Sequence, residues 1–148
     1  MTRSVLLVVL PSDLGAPQLD AAKKTHRTYL AFPYGALTIA SYLRKYARGI
    51  GRVEILDLNL PRWPDAVKSL HRKLCEMRPD VVGFSMSYDV SYPWLASLSA
   101  EVKRFDPATC VVAGGPAVTT AYREILDQCP HLDACCYSEG EVALKALV

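Results

Sequence analysis

Three short turns carry the residues best suited to chemistry. The stretch GFSMSY (83–88) ends an apolar run with Ser85 and Ser87, with Met86 between them and Tyr88 just after. Hydroxyls at such a place can hydrogen-bond a polar group of a buried ligand. The stretch AGGPAVTT (113–120) ends another apolar run with Gly114 and Gly115 and opens the next segment with Pro116. Paired glycines let backbone N–H groups come close to a ligand, and a helix N-terminus beyond them favours an anionic group. The stretch SEGE (138–141) sets Gly140 between Glu139 and Glu141, directly after Ser138. Either carboxylate can accept hydrogen bonds from sugar hydroxyls. Each turn also has a plain structural use. Glycines end strands for packing alone, Asp89 or Ser91 can cap a following helix, and acids favour a helix N-terminus in any case.

The elements that must position these turns are legible in the hydrophobic pattern. Five apolar runs recur: SVLLVVL (4–10), VEILDLN (53–59), DVVGFSM (80–86), CVVAGG (110–115) and DACCYS (133–138). They are Val-rich and continuous, as expected of strands covered on both faces. Between them lie segments of helical period. PYGALTIASYLRKYA (33–47) places Leu37, Ala40, Leu43 and Ala47 near one face, and PDAVKSLHRKLCEM (64–77) does the same with Val67, Leu70, Leu74 and Met77. YPWLASLSAEVKRF (92–105) and TTAYREILDQC (119–129) follow, and a last helix is expected to start at Glu139–Gly140. Strand–helix alternation of this kind predicts an α/β, flavodoxin-like, doubly wound parallel sheet in the order 2-1-3-4-5, with helices on both faces. In such a fold ligands bind at the carboxyl ends of the strands. The expected rim is Ser12–Asp13, Asp57–Leu60, Ser85–Tyr88, Gly114–Thr119 and Ser138–Glu141, whose small and hydroxylated residues suit a large flat ligand with polar appendages. One connection, residues 11–32, is long for a compact domain and reads as a functional lid or a partner-facing loop.

Bulk properties set the class. With 148 residues the chain has the size of one ordinary domain, 1–148, and needs neither disulfide nor metal to hold a core. A net charge of +2 gives no sign of nucleic acid or an anionic membrane as partner. Five cysteines without a C-x-x-C pair read as buried thiols in a reducing compartment, and the localisation expected is cytoplasmic. The run Val5–Leu10 is too short for a membrane helix and reads as a buried strand. The stretch CPHLDACC (129–136) invites a metal-site reading, but Cys135 and Cys136 are adjacent on an expected strand and would point to opposite faces. His71 reads as a solvated helix residue, and His26 sits in the long loop beside the basic Lys23, Lys24 and Arg27.

Several ligand classes of this scaffold lack their residues here. A phosphoacceptor receiver needs paired acids after strand one, an aspartate after strand three and a lysine after strand five; this chain has Ser85–Met86–Ser87 and Ser138 at the last two places. The loop PSDLGAPQLD does not supply a flavin phosphate loop, and G-x-G-x-x-G is missing.

The ordered set PYGALTIASYL, VEILDLN, RPDVVGFSMSY, VVAGGPAVT and YSEGEVALKAL resembles the N-terminal cobalamin-binding domain of B12-dependent radical S-adenosylmethionine (SAM) enzymes, over nearly the whole chain. In that family the last element is usually G-E-G-E, so Ser138 is a departure. The resemblance implies cobalamin as cofactor and partner, held base-off with its dimethylbenzimidazole tail tucked into the domain. The D-x-H-x-x-G motif of histidine-ligating cobalamin domains is replaced by SDLGAP, so no histidine on cobalt is expected, with His26 of the long loop the alternative ligand. The tail would run past Ser85, Ser87, Gly114 and Gly115, and the Glu139–Glu141 turn would lie near the nucleotide sugar. Arg62 and Trp63 are the candidates for the lower side of cobalt, and Ser12, Asp13, Asp57, Met86, Tyr88, Pro116, Ser138 and Gly140 complete the expected cofactor-binding set. The cysteines contain no C-x-x-x-C-x-x-C, so SAM and a [4Fe–4S] cluster are expected in a following radical SAM domain of a longer parent protein. The activity implied is methyl transfer, in which cob(I)alamin takes a methyl group from SAM and passes it to an unreactive substrate atom. The isolated domain is expected to be non-catalytic. A stand-alone corrinoid carrier or B12-sensing module is the alternative, and a nucleotide-binding domain of the same fold is a third.

Overall fold

A computed structural model describes residues 2–12, 32–60 and 65–148. The strands are β1 (Arg3–Val9), β2 (Ile50–Asp57), β3 (Val81–Ser85), β4 (Cys110–Gly114) and β5 (Ala134–Cys135). The helices are α1 (Tyr34–Tyr46), α2 (Ala66–Met77), α3 (Tyr92–Phe105), α4 (Pro116–Gln128) and α5 (Gly140–Leu147), with a 3-10 turn, Asp89–Ser91, leading into α3. All strand pairs are parallel, and the sheet runs β2-β1-β3-β4-β5, the order expected from the alternation. No helix among the described residues is long and apolar enough to cross a membrane.

Strand alternation sorts the core into two. Leu6, Val8, Val82, Phe84, Val111 and Ala113 point to one face, where α2, α3 and α4 cover them with Leu70, Leu74, Leu95, Leu98, Val102, Val118 and Ile125. Val5, Leu7, Val53, Val81 and Val112 point to the other, covered by Ala36, Ala40 and Leu43 of α1 and Leu144 of α5. The stripe on α2 starts one residue earlier than its period suggested. Ala66 is buried and Val67 stands 36% exposed, because Asp65 caps the helix by accepting from the Lys68 N–H and fixes its rotation. Cys135 and Cys136 do part to opposite faces, one beside each core cluster.

Register explains the rim. Leu7, Gly83 and Val112 form one row across β1, β3 and β4. Two residues further along each strand, Val9, Ser85 and Gly114 form the next row, with Cys136 of the β5 end beside Gly114. Both rows face α1 and α5.

Candidate functional site

Between these two rows and the N-terminal turns of α1 and α5 lies a cleft of about 350 Å³. Its inner wall is Leu7, Ala36, Ile39, Gly83, Val112 and Leu144, and its mouth carries Ser12, Asn59, Ser85, Ser87, Tyr88, Ser138, Glu139 and Glu141. At Gly83 the missing Cβ lets the Leu7 side chain lie close over the strand, since a side chain begun there would meet Leu7 Cδ2 at 3.1 Å, and the cleft reaches Gly83 beside it. Gly140, at the start of α5, lets α1 come close, since an added Cβ would sit 2.8 Å from Ile39 Cδ1.

The turn after β4 is locked to the turn after β3. The Met86 N–H donates to Gly114 O at 2.9 Å, and the Ala117 N–H donates back to Met86 O at 3.3 Å. Gly115 has φ +112, and a Cβ on it would lie 2.6 Å from the Met86 carbonyl oxygen, so only glycine fits. Gly114, Gly115 and Pro116 thus line the cleft with backbone, as the motif suggested. Met86 contributes through its main chain only; its side chain is 2% exposed and packs on the opposite core. Ser138 lines the mouth with φ +62, the left-handed region that favours glycine, and its N–H donates to Thr119 Oγ1 at 3.1 Å.

The first and second strand ends meet through Asn59. Its Oδ1 accepts from the Ser12 N–H at 2.9 Å and from the Ser12 hydroxyl at 3.0 Å. Its Nδ2 donates to Leu10 O and to Asp57 Oδ1, both at 3.0 Å. Asp57 itself is buried beneath Asn59 and is not part of the cleft wall, so it orients the residue that is. Ser91 is buried and donates to Pro11 O at 2.6 Å, which ties β1's exit to the start of α3; it does not cap that helix. Asp13, Arg62, Trp63 and His26 lie outside the described residues.

The structure therefore brings together Ser12, Ser85, Ser87, Tyr88, Gly114, Gly115, Pro116, Ser138, Glu139, Gly140 and Glu141, and sets Asp57 and the Met86 side chain one layer back. Asn59 fell within the expected rim but was not singled out as a contact, and the apolar inner wall was not anticipated. A glycine inside the strand pattern DVVGFSM was the available signal, since it marks a close approach. Near the cleft, burial raises the Cys136 thiol, and burial with Cys136 and Cys129 nearby pushes the Cys135 thiol up to about 11. Both stay protonated near neutral pH and are poor metal ligands.

Fold and cleft define an α/β domain with a cleft at the carboxyl edge of its sheet, apolar along its inner wall and polar at its mouth. A profile of the B12 binding domain matches residues 24–148, and the chain belongs to that family of cobalamin-binding domains. No curated protein sequence matches it. Among solved structures, the radical SAM methyltransferase TsrM from Kitasatospora setae, with cobalamin and a [4Fe–4S] cluster bound, superposes with a TM-score of 0.75 at 24% identity over 99% of this chain. A cobalamin-binding protein from Desulfitobacterium hafniense DCB-2 superposes with a TM-score of 0.61 at 16% identity, again over 99% of this chain. The chain spans 26% of the first protein and 58% of the second, and at these identities the likeness is one of fold.

The cleft fits the cofactor's nucleotide tail. Its apolar inner wall has the character that suits an aromatic base, and the hydroxyls of its mouth have the character that suits a sugar and phosphate.

Proposed function

We propose that this chain is the cobalamin-binding domain of a B12-dependent radical SAM enzyme of the methyltransferase type. The observation that carries the proposal is the match of almost the whole chain to about a quarter of TsrM, supported by a cleft with an apolar inner wall and a polar mouth at the carboxyl edge of the sheet. Bound cobalamin would supply a cobalt centre that carries a methyl group from SAM to the substrate atom. The chain's own residues bind and orient. Ser85 and Ser87 offer hydroxyls to polar groups of the tail, and Gly114 and Gly115 let the backbone approach it. Glu139 and Glu141 accept from the ribose hydroxyls, and Asn59 holds the Ser12 end of the mouth in place. Phe32, Tyr34 and Tyr88 stand exposed around the mouth, apolar surface for the corrin and a following radical SAM domain to cover.

The cofactor is held base-off and without a histidine on cobalt. None of the described cleft residues is a histidine. The test is a visible absorption spectrum of the purified chain after mixing with hydroxocobalamin and desalting. Retained corrin that is base-off and lacks nitrogen coordination after reduction to cob(II)alamin is the expected result. A histidine-ligated spectrum would overturn the axial assignment and point to His26. For the enzyme assignment, a C-x-x-x-C-x-x-C motif beyond Val148 in the reading frame supports it, and a stop codon there overturns it.

A second reading, a corrinoid carrier acting through protein partners, is favoured by the likeness to the Desulfitobacterium hafniense protein, of which this chain covers more than half. The lower TM-score puts it behind the first.

A further inference from the structure

The cleft is polar only at its mouth. Below the row Val9–Ser85–Gly114, its described lining is Leu7, Ala36, Ile39, Gly83, Val112 and Leu144, with the Cys136 thiol, a weak hydrogen-bonding group, beside Gly114 at the level of the row. Leu7, Ala36, Val112 and Leu144 are each buried, and none of the six carries a polar side-chain atom. The backbone beneath them is engaged in the parallel ladders of β1, β3 and β4. Natural corrinoids share the corrin ring and differ in the base that ends the tail: benzimidazoles, phenols or purines. A purine brings an exocyclic amine and ring nitrogens that hydrogen-bond water. In this wall they would find no partner, and an unpaired buried polar group is costly. A benzimidazole or a phenolic base bears methyl and ring carbons there and loses nothing.

Resting on the reading of this cleft as the tail site, we infer that the domain selects its corrinoid by the lower base, accepting benzimidazolyl and phenolyl forms and rejecting adeninyl ones. The Leu7, Val112 and Leu144 side chains make that choice, on a floor that reaches Gly83.

The test is equilibrium binding of four corrinoids to the purified chain, followed by visible absorbance: cobalamin, p-cresolyl cobamide, adeninyl cobamide (pseudocobalamin) and cobinamide, which has no tail. The deciding pair is p-cresolyl against adeninyl, because a phenol has no nitrogen for cobalt and adenine is a weak ligand, so neither pays much to leave the metal. The p-cresolyl form is expected to bind at least about tenfold more tightly than the adeninyl form, and cobinamide more weakly than the p-cresolyl form. If p-cresolyl and adeninyl forms bind equally and both exceed cobinamide, the tail occupies the cleft but the wall does not choose, which overturns this inference and leaves the function standing. If cobinamide matches every tailed corrinoid, or no corrinoid binds, the tail reading fails and this inference falls with it.

Discussion

The two faces of one sheet are built from alternate residues of the same strands, yet only one is filled to its edge. On the face covered by α2, α3 and α4, Phe84 occupies β3, and Leu58 and Met86 continue the packing past the strand ends. On the face covered by α1 and α5, the neighbouring β3 residues are Gly83 and Ser85, and the packing stops at Leu7, Val112 and Leu144. A single strand, VVGFS, thus makes core with Val82 and Phe84 on one face, and on the other makes core with Val81 and lines the cleft with Gly83 and Ser85. Period-two alternation is enough to separate the stabilising and binding duties of a strand without any insertion.

That separation can be broken from either side. The largest effect is expected on the filled face. Phe84→Ala should cost about 3–5 kcal/mol of stability, read as a lower urea midpoint. Gly83→Val, one residue away, crowds Leu7 and should cost less, about 1–3 kcal/mol, while weakening cobalamin binding roughly tenfold to 100-fold by narrowing the cleft. Equal loss of stability in both variants would show that the two faces do not divide the work.

Asn59→Ala lies at the mouth, where both duties meet. Four hydrogen bonds to Ser12, Leu10 and Asp57 are lost, and a cost of about 1–2 kcal/mol is expected together with severalfold weaker cobalamin uptake. Unchanged uptake would remove Ser12 and its tether from the site.

The smallest effect is expected at the amino end of the sheet, away from the cleft. Asp133 accepts from Lys103 Nζ and from the Val111 N–H, both at 2.7 Å. Burial opposes its charge, but these partners outweigh it and hold the carboxyl below its ordinary pKa. A depressed folded-state pKa stabilises above the unfolded value, and that contribution is lost as pH falls through the folded one. Asp133→Asn should therefore cost about 1 kcal/mol at neutral pH, a figure kept small by the side chain's partial exposure. The variant should also lose less further stability than the parent below about pH 4. Cobalamin affinity at neutral pH should not change.

Much of this was legible in the chain. Continuous Val-rich runs specified five buried strands, and polar turns at their ends specified the rim. The inner wall was not, because Leu7, Val112 and Leu144 have the residue types of any core, and only their place along the cleft sets them apart. Asp57 looked like a ligand contact because acids at strand ends often are. Its neighbour Asn59 takes that position, since an amide can donate and accept at once and so bridge two strand exits. The Ser138 departure from glycine is accommodated by a backbone that still adopts φ +62, with the Thr119 hydroxyl holding the turn.

The two helical walls of the cleft are the first and last helices among the described residues, and the Arg3 guanidinium bonds the Leu147 carbonyl at the far end of α5. A ribosome making this chain therefore completes the whole filled face before the last wall of the cleft exists. Cofactor loading is a step for a finished domain, and a nascent chain halted before Gly140 would be folded in outline yet blind to B12.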